Sequence, residues 1–168
     1  MKTNVALIGF MGSGKTAVSK VLSEKLNKCF VELDSLIEQK VGKSISQIFA
    51  KDGEIAFRQL EIELVKEIAQ GKNQVIACGG GIVLNKINID RLKSEAMIVY
   101  LTASGAVILE RTSAVKNKRP LLKSSNKEET IDKLLRFRKP FYERAADITI
   151  DTSKLDINAV ADEIIARL

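Results

Sequence analysis

Eight consecutive residues, Gly9-Phe10-Met11-Gly12-Ser13-Gly14-Lys15-Thr16, match the pattern G-x-x-x-x-G-K-[ST]. The pattern constrains the fold first. It works only where a strand delivers the chain into the loop and a helix carries it away. Val5-Ala6-Leu7-Ile8 precedes it as a short apolar run, and Val18, Val21, Leu22 and Leu26 follow at helical spacing. Glycines let backbone N–H groups close on phosphate oxygens without a Cβ in the way. The helix opening near Lys15 turns its positive end to the same place. Lys15 is expected to reach the β- and γ-phosphates, and the Thr16 hydroxyl to ligate Mg²⁺. The loop as a whole, with Gly12, Ser13, Gly14, Lys15, Thr16 and Ala17, predicts binding of a nucleoside triphosphate. It says nothing about the phosphoryl acceptor.

Beyond the loop, strand and helix patterns alternate. Strands are expected at 4–8, 29–33, 74–78, 97–101 and 148–150. Helices are expected at 16–26, 35–41, 54–70, 104–111, 131–145 and 157–168, with a capped turn from Ser44 and Gln47 through Ala50. The apolar stripe of the 54–70 helix is read as Ile55, Leu60, Leu64, Val65 and Ile68. Pro140 is expected to kink or interrupt the helix that holds it. Such alternation implies an α/β domain, a parallel sheet with helices on both faces. Residues 112–130 are rich in Ser, Lys and Asn and break the pattern. A connection this long inside a compact domain is usually functional or disordered. No repeat or domain-sized linker is evident, so residues 1–168 read as one domain.

Composition narrows the function classes. The 168 residues, 45% hydrophobic and 29% charged, suit one globular domain with a sizeable core. No apolar run reaches about 18 residues, and the first residues read as a strand rather than a signal peptide. There is no histidine, which rules out His-based triads and His metal sites. Cys29 and Cys78 lie in apolar strand-like runs and are expected to be buried free thiols of a cytoplasmic protein. The net charge of +6 raises the question of nucleic acid. The basic residues are dispersed and aromatics are few, so a small polyphosphate substrate accounts better for it.

In an open parallel sheet, ligands lie outside the carboxyl ends of the strands. That rule selects the phosphate loop after the first strand, Glu32-Leu33-Asp34 after the second and Gly79-Gly80-Gly81 after the third. Asp34 can be read as a helix N-cap or as a carboxylate accepting a hydrogen bond from an attacking hydroxyl. The three glycines can be a tight turn or bare backbone offered to a small ligand. Arg58 and Arg138, taken singly, read as surface arginines. Arg119, before Pro120 in the polar segment, is harder to explain without a function.

Taken together, "GFMGSGKT", "DSLIE", "SISQIFAKDGEIAFRQLE", "GGG", "RPLL" and "RFRKPFYERAAD" resemble the shikimate kinase family, part of the nucleoside-monophosphate-kinase-like P-loop group. The elements stand in family order over nearly the whole chain. The resemblance implies a three-layer P-loop kinase fold with a five-stranded parallel sheet and a mobile lid at about 112–130. It implies transfer of the ATP γ-phosphoryl group to the 3-hydroxyl of shikimate, with Mg²⁺, in aromatic amino-acid biosynthesis, by a monomer with no nucleic acid or membrane partner. Asp34 would orient and help deprotonate the hydroxyl. Arg58 and Arg138 would grip the shikimate carboxylate, with Gly79, Gly80 and Gly81 lining the same place. Arg119 would swing in with the lid onto the phosphates, and Arg111 would lie against adenine. Two departures stand out. Glu32 replaces an aspartate that the family often uses near Mg²⁺ through water, and residues 152–158 lack a proline some members have beside adenine. A kinase of another small hydroxy acid, such as gluconate, is the alternative. A GTPase is disfavoured, because Asn85-Lys86-Ile87-Asn88 lacks the aspartate of N-K-x-D.

Overall fold

The computed structural model describes residues 2–114 and 126–168. Strands β1 (Asn4–Ile8), β2 (Cys29–Glu32), β3 (Gln74–Ala77), β4 (Ala96–Thr102) and β5 (Ile148–Asp151) form one sheet in the order β2-β3-β1-β4-β5. Every pairing is parallel. Val5 lies between Val75 and Met97, and Leu7 between Ala77 and Val99. The central strand β1 is buried at all five positions, which is why it reads as a continuous apolar run. Its side chains still divide by parity. Val5 and Leu7 join one core with helices α1 (Lys15–Leu26) and α8 (Ile157–Arg167). Ala6 and Ile8 join the larger core on the other face. That core is covered by α2 (Leu33–Val41), α3 (Ile45–Lys51), α4 (Gly53–Ile68), α5 (Lys86–Glu95), α6 (Gly105–Ser113) and α7 (Lys127–Ala145). The expected α/β architecture is therefore observed, five parallel strands between helical layers.

Local chemistry explains several boundaries. Ser44 and Gln47 form the expected capping box at α3. Ser104 caps α6 by accepting from the Val107 N–H, and Asp156 caps α8 by accepting from Ala159. Four expectations need correction. First, α5 and the 3₁₀ turn Ile82–Leu84 were not anticipated. The buried face of α5 is only Asn88, Ile89 and Leu92, too sparse to announce a helical period. Second, Ile55 is 88% exposed. The buried face of α4 is Phe57, Glu61, Leu64, Val65 and Ile68, and Ile55 sits about 200° around the helix from Phe57. Third, Pro140 does not interrupt its helix, since α7 continues through it. Pro140 and Arg136, whose carbonyl loses its N–H partner, are both on the exposed side, where solvent can satisfy that carbonyl. Fourth, Cys78 is buried but Cys29 is exposed, because β2 is an edge strand and Cys29 begins it.

Residues 115–125 lie outside the described residues, and with them Arg119 and most of the expected lid. Among the described residues, no helix is long and apolar enough to cross a membrane.

Candidate active site

The carboxyl ends of β1, β2 and β3 open into one cleft of about 850 Å³. Its first wall is the phosphate loop. Gly12 and Gly14 take left-handed φ values of 79° and 94°, which side chains resist. Gly14 is the N-cap of α1. No side chain caps this helix start, and its first turn holds no acid. The helix thus turns its positive dipole end toward the loop with no acidic side chain against it, as an anion site requires. The Lys15 ammonium donates to the carbonyls of Gly9 (2.8 Å) and Phe10 (2.9 Å), which holds it over the loop.

Thr16 and Glu32 meet beside the loop. The Thr16 hydroxyl donates to Glu32 Oε1 at 2.6 Å, and Ser35 donates to Oε2 at 2.7 Å. Glu32 and Asp34, two residues apart, would share a face if the strand ran on through both. Instead β2 ends at Glu32 and α2 begins at Leu33, so the two carboxylates reach the cleft from a strand end and a helical turn. Asp34 is not the N-cap. That position is Glu32, and Asp34 lies in the first turn of α2.

The opposite wall carries the charges. Asp34, Arg58, Glu61, Gly79–Gly81 and Arg138 all line the cleft. Burial raises the Asp34 pKa, against the pull of the Lys15 charge. Its Oδ1 is buried without a hydrogen-bond partner. Arg58 Nη1 donates to Glu61 Oε1 at 3.0 Å, and Nη2 to Glu54 at 3.3 Å. Arg138, from α7, is 3% exposed, with its guanidinium 5.8 Å from the Phe10 ring centre. The glycine run makes this crowding possible. A Cβ on Gly81 would stand 2.3 Å from Arg58 Nη2, and one on Gly79 would stand 3.0 Å from both Asp34 Oδ1 and Glu61 Oε2.

Two residues here escaped sequence reading. Glu61 is 1% exposed and holds Arg58. Burial raises its pKa, with the Arg58 charge pulling the other way. The available signal was a glutamate on the apolar face of α4, three residues after an arginine. Tyr142 is fully buried, stacks on Tyr100 (4.9 Å) and donates its hydroxyl to the Gly80 carbonyl. Burial pushes its pKa up to about 12, so it stays a donor at neutral pH. No spacing rule would have paired Tyr142 with Gly80. Cys78, also in the cleft wall, has its thiol pKa pushed up by burial, which keeps it unreactive.

Arg111 reaches the loop from α6. Among the expected site residues, Gly12, Gly14, Lys15, Thr16, Ala17, Glu32, Asp34, Arg58, Gly79, Gly80, Gly81, Arg111 and Arg138 share the cleft. Ser13 lies beneath, fully buried, and Arg119 is outside the described residues.

Known proteins resemble this chain closely in sequence and fold. The family model described as shikimate kinase matches residues 11–168. A shikimate kinase of Thermodesulfovibrio yellowstonii is 49% identical over 162 residues, 96% of this chain and 92% of the relative. The solved shikimate kinase of Acinetobacter baumannii in complex with shikimate superposes with a TM-score of 0.95 at 36% identity, covering 99% of this chain and 93% of that one. That of Aquifex aeolicus gives 0.84 at 37% identity, covering 97% and 94%.

Proposed function

The chain belongs to the shikimate kinase family, and from that membership we propose that it transfers the γ-phosphoryl group of ATP to the 3-hydroxyl of shikimate. The observation that carries this reading is the facing of two half-sites across one cleft. A phosphate loop with its lysine stands on one side. A buried carboxylate with an unpartnered oxygen stands on the other, flanked by two arginines.

In this reading the shikimate carboxylate takes the forks of Arg58 and Arg138, and Gly80 offers its backbone. The 3-hydroxyl then donates to Asp34 Oδ1. The hydroxyl oxygen forms a bond to the γ-phosphorus as the bond to the β,γ-bridging oxygen breaks, and the hydroxyl proton leaves toward Asp34. Lys15 moves from the loop carbonyls to the phosphates and offsets negative charge on the transferring group. Arg111 lies against the adenine. Arg119 and a lid at about 112–130 belong to the proposal on sequence grounds.

The site suits Mg²⁺. Thr16 and Glu32 present hard oxygens beside the loop. Among the described residues, no three of His, Cys, Asp and Glu gather to hold a metal alone, in keeping with an ion that takes most of its ligands from phosphates and water. When bound there, the ion neutralises phosphate charge. Thr16 would be a direct ligand, and Glu32 would hold a metal-bound water. We place the reaction in the cytoplasm, carried out by a single-domain monomer that engages neither nucleic acid nor membrane. Dispersed basic residues support the part of this reading that leaves out nucleic acid.

The test is ADP release over a panel of hydroxy acids. Release that depends on shikimate and gives shikimate 3-phosphate is expected. Turnover with gluconate and none with shikimate would refute the acceptor.

A further inference from the structure

Arg111 and the back of the phosphate loop converge on one side chain that sequence reading gave no role, Thr152. It follows β5 and is 3% exposed. Its hydroxyl lies 3.2 Å from the Ser13 carbonyl in the loop and 3.0 Å from the Thr102 carbonyl at the end of β4. The same hydroxyl accepts from Arg111 Nη1 at 3.2 Å, and the Thr152 carbonyl accepts from Nη2 at 3.1 Å. Arg111 Nη1 also donates to Gly12 at 3.1 Å. The Thr152 N–H donates to Thr102 at 2.8 Å. Loop, strand end and arginine are thus joined at a single residue. There is no slack behind the loop, since a Cβ on Gly12 would stand 3.0 Å from Thr112 Cγ2.

We propose that Thr152 is a positioning residue for the nucleotide, holding the Arg111 guanidinium and the phosphate loop in one fixed relation through its hydroxyl. The inference rests on the reading of this cleft as the ATP site. A hydroxyl has one hydrogen and two lone pairs. The Thr102 carbonyl already accepts from the Thr152 N–H, so the one hydroxyl hydrogen is assigned to the Ser13 carbonyl while the oxygen accepts from the arginine. Thr102 keeps the Thr152 N–H and Arg111 keeps Gly12 when the hydroxyl is removed. The Ser13 carbonyl loses its side-chain donor. The effect should therefore fall on the loop, and so on nucleotide affinity, rather than on the acceptor wall.

The test compares Thr152→Val, which keeps the shape and removes the hydroxyl, with Thr152→Ser, which keeps the hydroxyl. The probe is a fluorescent N-methylanthraniloyl ATP, titrated without shikimate. Thr152→Val should weaken binding about 5- to 20-fold and raise the KM for ATP similarly. The KM for shikimate should stay unchanged, and Thr152→Ser should bind like the parent. Thr152→Ala carries the same test if the valine variant does not fold. Equal binding by parent and hydroxyl-free variants would overturn the inference, as would a serine variant as weak as valine or an equal rise in both KM values. A parent that fails to bind the probe would sink the ATP reading instead. A parent that binds it but phosphorylates another acid would sink only the acceptor.

Discussion

Glu61→Gln should stabilise the protein and weaken its hold on the acceptor. The parent carboxylate is 1% exposed, with one oxygen on Arg58 and the other buried without a partner. A buried unsatisfied atom of this kind costs about 1–3 kcal/mol. Burial raises the Glu61 pKa above its ordinary 4.5, so the folded state holds the proton more tightly than the unfolded one. The associated stability is fully present below the ordinary glutamate range and is lost as pH rises through the raised value. Glutamine has nearly the same shape and does not titrate. Its amide can also donate toward Asp34 Oδ1, since that oxygen and Glu61 Oε2 crowd the same point beside Gly79. Removing one partner of a buried ion pair is ordinarily destabilising. Here Arg58 keeps Glu54 at 3.3 Å and retains some exposure, so it is not stranded. The variant should be the more stable by about 1–3 kcal/mol where the amide satisfies the buried oxygen, and urea melts of both proteins from about pH 5 to about pH 8 should show that lead widening as pH rises. In Tm this is about 2–4 °C per kcal/mol for a chain of this size. Shikimate binding should weaken about 5- to 20-fold, because a neutral amide holds the Arg58 fork less firmly. A stability gap that is flat with pH, or that moves in favour of the parent as pH rises, would show that the Arg58 pairing outweighs burial and refute the reasoning.

Lys15→Met should lower kcat by about 10²- to 10³-fold with the fold intact. Single-turnover rates near the parent's would remove Lys15 from the transferring phosphate. Asp34→Asn should cut kcat by about 10²- to 10⁴-fold and leave ATP affinity nearly unchanged, which nucleotide titration against steady-state rates would check. Arg138→Lys keeps the charge but loses the fork, and should raise the KM for shikimate about 10- to 100-fold. An unchanged value in initial-rate measurements would break the carboxylate clamp. Glu32→Gln should raise the Mg²⁺ concentration for half-maximal rate without moving the KM for shikimate, as read from Mg²⁺ titrations at fixed ATP.

How far the fold can be read from the sequence depends on where each element buries its surface. The strand β1 announces itself because both its faces are covered, and α1 because its stripe packs on one core. Capping chemistry is local, so Ser44 and Gln47 could be paired on sight. The helix α5 stayed hidden because Asn88 takes a fully buried position where an apolar residue would have kept the period. Ile55 misled for the opposite reason, being apolar and turned to solvent. Pro140 fails to end α7 because the carbonyl that loses its N–H partner lies on the exposed side, where solvent replaces it. Cys29 misled because apolar neighbours in sequence do not reveal an edge strand.

The two walls of the cleft differ in legibility for a physical reason. The nucleotide wall is built largely of backbone within eight consecutive residues, so its chemistry is written as a contiguous pattern. The acceptor wall is gathered from four separate segments: the first turn of α2, the body of α4, the run after β3 and the middle of α7. Arg58 and Arg138 are 80 positions apart, and only the fold turns both toward Gly79–Gly81. Their environment also inverts what sequence suggests, since two arginines that read as surface residues are largely buried there. Part of the stability cost falls in the same place. Asp34 Oδ1, Arg58 Nε, Glu61 Oε2 and Arg138 Nε are all buried without partners there, while Ser13 Oγ in the phosphate loop and atoms of Ser19, Gln74 and Asn88 are unpartnered elsewhere among the described residues. Folds tolerate such atoms where binding supplies the missing partners. A ligand carrying one carboxylate and several hydroxyls has the acceptors and donors to do so. That match of unmet hydrogen-bonding capacity to a polyhydroxy acid ties the acceptor wall to this substrate class, and Glu61→Gln probes it by satisfying one of those atoms from within the protein.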